Sequence, residues 1–262
     1  MRFDTLPSEI VGPSAWLGPQ ASASTKWIHH LTDSELSELE RAARRALETQ
    51  ADIANIRRET FVLPTLGPRL AQLHDALIDG SGFALVRALP VQEWSREVVA
   101  AAFYGLGCHM GNPVPQNAKG HVLGHVMDMG LNANDPKVRI YQRQYIDSAQ
   151  RFEDAMRLTP LHVEALDCFD ALANDSQLNF LMRLEPGDMQ FVHNHTLLHD
   201  RTAFEDWQEP GRKRHLLRLW LSSPDARPLP AIWAERYGTI EPGVRGGVAV
   251  PATSWIAPLY PN

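Results

Sequence analysis

Cysteine is scarce in this sequence: Cys108 and Cys168 are the only two, and they lie far apart. The absence of a CxxC pair excludes a disulfide framework and the usual zinc-finger spacings, and it indicates a reducing compartment. No apolar run approaches the roughly 20 residues that a membrane helix needs, and the first residues lack the charged and apolar regions of a secretory signal. We therefore predict a cytoplasmic protein without a membrane partner.

An excess of positive charge is also lacking, since 25 Lys and Arg residues face 31 Asp and Glu residues and give a net charge of −6. Such a chain has no strong basic field, so nucleic acid is not expected as a partner. The sequence has no GxGxxG pattern, no Walker loop and no Ser-His-Asp arrangement, so nucleotide-dependent redox enzymes and hydrolases gain no support. At 262 residues, of which 44% are hydrophobic, the chain is long enough to bury a sizeable core. The composition carries no information on the oligomeric state.

What is present divides into a helical first part and a strand-rich second part. The apolar spacing predicts helices over residues 31–50, 69–78, 95–107 and 158–175. It predicts strands over residues 82–89, 120–130, 178–184, 188–194 and 214–222. We therefore predict one α+β domain over residues 1–262, mainly helical over 1–110 and β-rich over 111–262.

Three histidines stand close together in the stretch HNHTLLHDR, residues 193–201. An isolated histidine in a β-rich core is more often structural, but neutral imidazole is also the commonest metal ligand. Alternate residues of a strand share a face, so His193 and His195 would be able to ligate one metal together with His199. Gly187 and the His-x-His that follows resemble the first cupin motif in part. A cupin-like metal enzyme is therefore one open alternative.

The segment GDMQFVHNHTLLHDRTAFEDWQEPGRKRHLLRLWL (187–221) resembles the C-terminal metal- and cofactor-binding segment of the taurine dioxygenase-like (TauD/TfdA) family. These are iron(II)- and 2-oxoglutarate-dependent oxygenases. The resemblance continues through GNPVPQN, GHVMDMGLNANDPKVR and SSPDARPLP, and covers most of the chain from about residue 80. It implies a double-stranded β-helix (jelly-roll) core with flanking helices. It also implies oxidation, most often hydroxylation, of a small-molecule substrate by dioxygen, with decarboxylation of 2-oxoglutarate to succinate.

By this resemblance, His199 matches the distal histidine ligand of iron(II), Arg214 matches the arginine that binds 2-oxoglutarate, and Arg218 matches the arginine that faces cosubstrate or substrate. The chemistry gives the pattern a reason, because a planar guanidinium makes paired, charge-assisted hydrogen bonds to a carboxylate. Arg214 and Arg218 lie four residues apart on a predicted strand and share a face. Both faces of that strand are largely apolar, so we expect it to be buried on both sides.

The loop GNPVPQN (111–117) is expected, by the same resemblance, to approach the substrate pocket. Asn112 and Gln116 are the side chains that we expect to face the substrate. A proline-stiffened surface turn is the alternative interpretation of this loop. No catalytic residue beyond the metal site is implied.

The family takes its other two iron ligands from a His-x-Asp or His-x-Glu motif, and the segment expected to carry that motif is absent from this sequence. The flanking segments are joined directly near residues 139–143. The pair His162–Glu164 is the only His-x-acid match, and its helical periodicity indicates surface residues of a helix. His125 and Asp128, three apart on a predicted strand, are expected to point to opposite faces. The predicted barrel is therefore incomplete.

The missing segment has two interpretations. A barrel without several of its strands would expose long unpaired edges, and this favours a segment of the protein that is missing from the sequence over a genuine deletion. If the deletion is genuine, the alternative function is a non-catalytic protein whose Arg214 and Arg218 bind an anion.

Overall fold

The computed structural model of the protein describes residues 9–128, 157–202, 206–209 and 212–261. These residues divide into two compact units. The larger unit contains residues 9–15, 25–127 and the described residues from 183 onward, and the smaller unit contains residues 16–24, 128 and 157–182.

Among the described residues, four of the six helices lie before residue 111 and five of the seven strands lie after it, in agreement with the predicted helical first part and strand-rich second part. The helices are α1 (Gly18–Ala23), α2 (Asp33–Thr49), α3 (Leu66–Ile78), α4 (Arg96–Met110), α5 (Pro160–Ala173) and α6 (Ala234–Tyr237). The strands are β1 (Ile28–His30), β2 (Phe83–Arg87), β3 (Asn112–Pro113), β4 (Gly124–Met127), β5 (Met189–Val192), β6 (His215–Arg218) and β7 (Leu221–Ser222).

The core of the larger unit lies between α2, α3, α4 and β2. α2 begins with a capping box, in which the backbone N–H of Glu35 donates to the Thr32 hydroxyl (3.3 Å) and the backbone N–H of Thr32 donates to the Glu35 carboxylate (2.8 Å). The apolar stripe of α2 is buried, and Leu39 and Ala43 are 0% exposed. α2 contacts α4, whose buried Ala101 belongs to the same core cluster. The helix predicted over residues 31–50 is therefore confirmed.

Helix α4 continues beyond its predicted end at Gly107 and ends at Met110. Glycine inside a helix normally weakens it, so the prediction took glycine as a stop signal. Tertiary packing explains the difference. A Cβ atom on Gly105 would overlap the ring of Phe61, and a Cβ atom on Gly107 would lie 2.5 Å from Cδ1 of Leu219. Glycine at both positions lets neighbouring side chains pack against the helix backbone.

The described strands form three small sheets. One sheet has the order β1-β2-β5, with β1 parallel and β5 antiparallel to β2. The other two sheets are antiparallel pairs, β3 with β7 and β4 with β6. Within the described residues these sheets do not close into a barrel.

The predicted strand over residues 214–222 is divided into β6 and β7. Its expected burial on both faces is wrong: the first three residues of β6 are partly buried, and Arg218 is exposed. Among the described strands, β6 pairs only with β4, so it forms an edge of a two-stranded sheet and not its centre. The strand predicted over residues 178–184 is not formed.

The smaller unit contains α1 and α5. The backbone N–H of Gly18 donates to the carbonyl of Gln177 (2.9 Å), and the rings of Trp16 and Phe180 meet edge to face at 5.4 Å between centroids. Across the part of the chain that the structure describes, the helices are too short or too polar to cross a membrane.

Candidate active site

The start of β6 is fixed by Asp206. Its Oδ1 atom accepts hydrogen bonds from the backbone N–H groups of Arg214 (2.8 Å) and Trp207 (3.0 Å). The carboxylate of Asp206 thus holds the main chain at this point. The backbone of Arg214 is therefore positioned by a contact that does not use its guanidinium group.

The guanidinium group of Arg214 is half-buried and lies in the field of Arg201. Burial lowers the pKa of Arg214, the positive charge of Arg201 lowers it further, and the carboxylate of Asp206 acts in the opposite direction. A charge that is removed from water requires compensation by an opposite charge. Two neighbouring arginines, one of them partly desolvated, therefore form an environment that suits an anion such as a carboxylate.

Arg218 ends β6 and is held by Gln116. The Nε–H group of Arg218 donates to Oε1 of Gln116 (2.7 Å). The Nε2 group of Gln116 donates in turn to the backbone carbonyls of Val122 (3.0 Å) and Arg218 (2.7 Å). Gln116 is only 9% exposed. The structure thus brings together a residue predicted to face the substrate and a residue predicted to face cosubstrate or substrate.

Asn112 is exposed at the start of β3, next to α4. Its Nδ2 group donates to the backbone carbonyl of Gly243 (2.9 Å). Asn112 therefore links β3 to the C-terminal loop. Its contact with a substrate stays a prediction.

His199 is exposed in the segment after β5. It precedes by two residues Arg201, whose charge acts on Arg214. The segment of the predicted iron ligand therefore approaches the arginine predicted to bind 2-oxoglutarate. The role of His199 as a ligand stays a prediction.

His193 and His195 lie next to each other, with ring centroids 5.8 Å apart. Burial lowers the pKa of both imidazoles; the neighbouring His195 lowers the pKa of His193 further, and Arg245 lowers that of His195. His193 Nδ1 forms a hydrogen bond with the Thr196 hydroxyl group. The pKa of the partly buried His193 and that of the exposed His195 are thus both shifted in the direction that favours the neutral ring.

The cupin-like alternative gains no support from this arrangement. Among the residues that the structure describes, no group of three or more His, Cys, Asp or Glu side chains is placed to hold a metal ion. Gly187, the glycine of the partial cupin motif, has a different explanation. Its φ is +87°, and a Cβ atom there would overlap the backbone carbonyl of Leu89. Backbone geometry therefore requires this glycine without reference to a metal.

The pair His162–Glu164 lies on α5, as predicted. The backbone N–H of Thr159 donates to Nδ1 of His162 (3.2 Å), and the backbone N–H of His162 donates to the Thr159 hydroxyl (3.3 Å). His162 therefore caps its own helix, and both it and Glu164 are exposed. The join predicted near residues 139–143 lies outside the described residues.

The sequence did not reveal the pairing of His125 with His215. Nδ1 of His125 lies 2.8 Å from Nε2 of His215, and Nε2 of His125 lies 2.7 Å from the carbonyl of Pro258. The partners are 90 positions apart, so local sequence carried no signal for the contact. Register alone explains it, because β4 and β6 pair Met127 with His215 and place His125 diagonally opposite.

Comparison with known proteins identifies the relatives of this chain. Residues 135–220 match the model of the family described as taurine catabolism dioxygenase TauD, TfdA family. This range contains His199, Arg214 and Arg218.

Two curated proteins are similar to this chain. The FR-33289 synthase of Streptomyces rubellomurinus (strain ATCC 31215) is 22% identical, across 90% of this chain and 97% of its own length. The taurine hydroxylase-like protein SAT17 of Stachybotrys chartarum (strain CBS 109288 / IBT 7711) is 29% identical over 131 residues, which cover 50% of this chain and 34% of that protein.

The alignment with the synthase is longer than this chain. It extends over 328 positions, whereas 90% of 262 residues is about 236 residues. About 90 of its positions therefore have no residue of this chain opposite them.

Among solved structures, the crystal structure of the non-heme iron oxygenase OrfP in complex with Fe matches with a TM-score of 0.48 and 13% identity, covering 73% of this chain and 92% of that chain. This likeness is weak and adds nothing to the family match. The resemblance predicted from the sequence is confirmed by the family match and by the curated proteins: the chain is similar to the TauD, TfdA family of dioxygenases, with the family match over residues 135–220.

Proposed function

We propose that this protein is an iron(II)- and 2-oxoglutarate-dependent oxygenase that oxidises a small molecule, most often by hydroxylation, with conversion of 2-oxoglutarate to succinate. The proposed fold of the full catalytic unit is the jelly roll that the family resemblance implies. The observation that carries the proposal is the half-buried guanidinium of Arg214 beside Arg201, at the start of β6.

The proposed 2-oxoglutarate site uses Arg214, immediately before β6, and Arg218, the last residue of β6. Burial removes water from the charged guanidinium group of Arg214, and a carboxylate next to that group would compensate for the lost hydration. A charge-assisted hydrogen bond of this kind contributes about 1.5–3 kcal/mol. Asp206 holds Arg214 through the backbone N–H group of Arg214 (2.8 Å), a contact that does not involve the guanidinium group. On the substrate side we propose the loop that carries Asn112 and Gln116.

For iron we propose His199 as a ligand. The described residues do not fit a complete iron centre, because no three His, Cys, Asp or Glu side chains in that part of the chain come together for a metal. No step of the reaction is therefore assigned to a metal bound by these residues. Bound iron would supply the activation of dioxygen.

The test measures iron-dependent formation of succinate from 2-oxoglutarate by NMR. The intact mass is determined first, because a mass above 29.3 kDa would show that the protein contains a segment missing from this sequence. We expect succinate only when iron(II) and dioxygen are present. Arg214→Ala is expected to weaken 2-oxoglutarate binding about 100-fold, which corresponds to about 2.7 kcal/mol. Arg212→Ala is the matched control, since it removes an equal charge two positions away whose guanidinium stacks on Trp207.

A second candidate function follows from the lack of a metal-binding group among the described residues. A non-catalytic relative would bind 2-oxoglutarate or another dicarboxylate at Arg214 and Arg218 without consuming it. Binding that persists in the presence of EDTA, without any succinate at a measured mass of 29.3 kDa, would favour this function over the oxygenase.

A further inference from the structure

Gln116 is built into the fold as a support for one arginine. It lies in the loop between β3 and β4 and is 102 positions from Arg218 in sequence. All three of its side-chain hydrogen bonds have good lengths: the bond that it accepts from Nε of Arg218 is 2.7 Å, and those that it donates to the carbonyls of Arg218 and Val122 are 2.7 and 3.0 Å. Gln116 thus holds both the side chain and the main chain of Arg218.

The space for this carboxamide depends on Gly124. A Cβ atom at position 124 would lie 2.6 Å from Oε1 of Gln116, which is too close for any side chain. Gly124 is also the strand partner of Arg218 in the β4–β6 pair. The register of the β4–β6 pair therefore brings Gly124 next to Arg218, where Gln116 binds the arginine.

The contact restricts how Arg218 can meet a ligand. A guanidinium group can pair with a carboxylate along its side-on edge, which uses Nε, or along its end-on edge, which uses the two terminal nitrogens. Because Nε of Arg218 donates to Gln116, the end-on edge is the one that fits a paired contact. The Trp220 ring, 5.3 Å from the guanidinium carbon, restrains the same group from a second side.

We propose that Gln116 is a positioning residue, which orients the end-on edge of Arg218 toward the carboxylate of cosubstrate or substrate and does not itself contact the ligand. This inference rests on the proposed anion-binding role of Arg218. A side chain that is already oriented loses less conformational freedom on binding, so Gln116 is expected to raise anion affinity through Arg218.

The first test needs no ligand and follows the Arg218 Nε–H signal by 15N NMR, assigned by its loss in Arg218→Met. We expect a signal protected from exchange with water in the wild-type protein and loss of that protection in Gln116→Met. Asn117→Ala is the matched control, because it removes the hydrogen bonds to the backbone N–H groups of Lys119 (3.0 Å) and His121 (3.3 Å) in the same loop. An unchanged signal in Gln116→Met would overturn the proposal.

The second test is a double-mutant cycle on the dissociation constant of 2-oxoglutarate, measured by calorimetry. Gln116→Met is expected to weaken binding about tenfold, and to have no further effect when Arg218 is already Met, because the two residues act as one unit. Equal weakening in both backgrounds would assign Gln116 a purely structural role or a direct ligand contact, and would overturn the proposal.

Gln116→Glu serves as a second variant in case Gln116→Met does not fold. It keeps an acceptor for Nε of Arg218 and adds a negative charge, so the NMR signal is expected to persist while 2-oxoglutarate binds more weakly than to the wild-type protein. Loss of the signal in a folded Gln116→Glu variant would contradict the proposal. If the wild-type protein does not bind 2-oxoglutarate at all, the proposed function fails, and the NMR result alone decides whether Gln116 positions Arg218.

Discussion

His125 and His215 form a direct hydrogen bond, with 2.8 Å between Nδ1 of His125 and Nε2 of His215. A carbonyl oxygen can only accept, so the 2.7 Å contact with Pro258 requires a hydrogen on Nε2 of His125. In a neutral ring the Nδ1 atom is then the acceptor, and the hydrogen of the shared bond is carried by His215.

The tautomers of this pair are therefore the first prediction. We expect long-range 15N–1H NMR spectra at pH 8 to show both rings with the hydrogen on Nε2. Replacement of His215 by Phe would leave Nδ1 of His125 without its donor and is expected to destabilise the protein by about 1–3 kcal/mol. A ring of His125 with its hydrogen on Nδ1 would refute the assignment.

The pH dependence of stability is the second prediction. The pKa of six histidines is lowered below 6.5, mainly because folding removes part of each ring from water. These histidines are His29, His109, His121, His193, His195 and His215. Each of them binds a proton more readily in the unfolded chain. The free energy of unfolding is therefore expected to be highest above pH 6.5 and to fall as the pH decreases from about 7 to 5.

Urea unfolding at several pH values measures this slope. His109→Gln should make the slope shallower, because it removes a partly buried ring that would take up a proton on unfolding. Nε2 of this ring contacts the carbonyl of Phe61 at 2.7 Å. The exposed His30 supplies the control variant His30→Gln. A stability that rises as the pH falls through this range would contradict the assignment.

Packing against Gly105 gives the third prediction. Gly105→Ala would force the new methyl group into the ring of Phe61, which is 1% exposed. Overpacking of this kind destabilises by about 1–3 kcal/mol, and the gain in helix propensity of up to about 1 kcal/mol does not offset it. We therefore expect a lower melting temperature.

Gly67→Ala is the matched control, because it also lies in a helix but its new Cβ atom would have its nearest neighbours at 3.8 Å. This variant should be neutral or slightly stabilising. Equal changes in melting temperature for the two substitutions would show that helix propensity, and not packing, determines the effect of alanine at these positions.

The fourth prediction concerns Glu38, which caps another helix. Its carboxylate accepts the backbone N–H groups of Thr65 (2.9 Å) and Leu66 (2.8 Å) at the start of α3, and Glu38 is 6% exposed. Glu38→Ala removes both acceptors from a buried site and is expected to destabilise by about 2–4 kcal/mol. Thermal unfolding compares it with Glu40→Ala, which breaks only a surface ion pair with Arg44 (2.7 Å) and should change stability by less than about 1 kcal/mol. Similar values for both variants would exclude a capping role.

Capping residues and apolar spacing were sufficient to predict helices that depend mainly on neighbouring residues. α2 was predicted because Thr32 and Glu35 form a capping box within four residues and the apolar stripe has the period of a helix. α5 was predicted for the same reason, through Thr159. In both helices, the residues that form the cap lie within four positions of one another in the sequence.

The end of α4 and the division of β6 from β7 were not predictable in this way. The helix continues past Gly107, its predicted end, and the side chain of Leu219 from a distant part of the chain packs against the helix backbone at this glycine. Likewise, family resemblance pointed to Arg214 and Arg218 as anion-binding residues. It did not show that Gln116 holds one of them, since that contact depends on the register between β4 and β6.

The sheet β1-β2-β5 joins parts of the chain that are distant in sequence, since Val86 of β2 pairs with Met189 of β5. The entropy of closing such a loop grows only with the logarithm of its length, and a doubling adds about 0.6 kcal/mol. Even if all of the about 90 alignment positions without a counterpart here were inserted between these two strands, they would not quite double the roughly 100 residues that separate them. Chains with and without that segment are therefore able to close the same sheet with almost equal entropy.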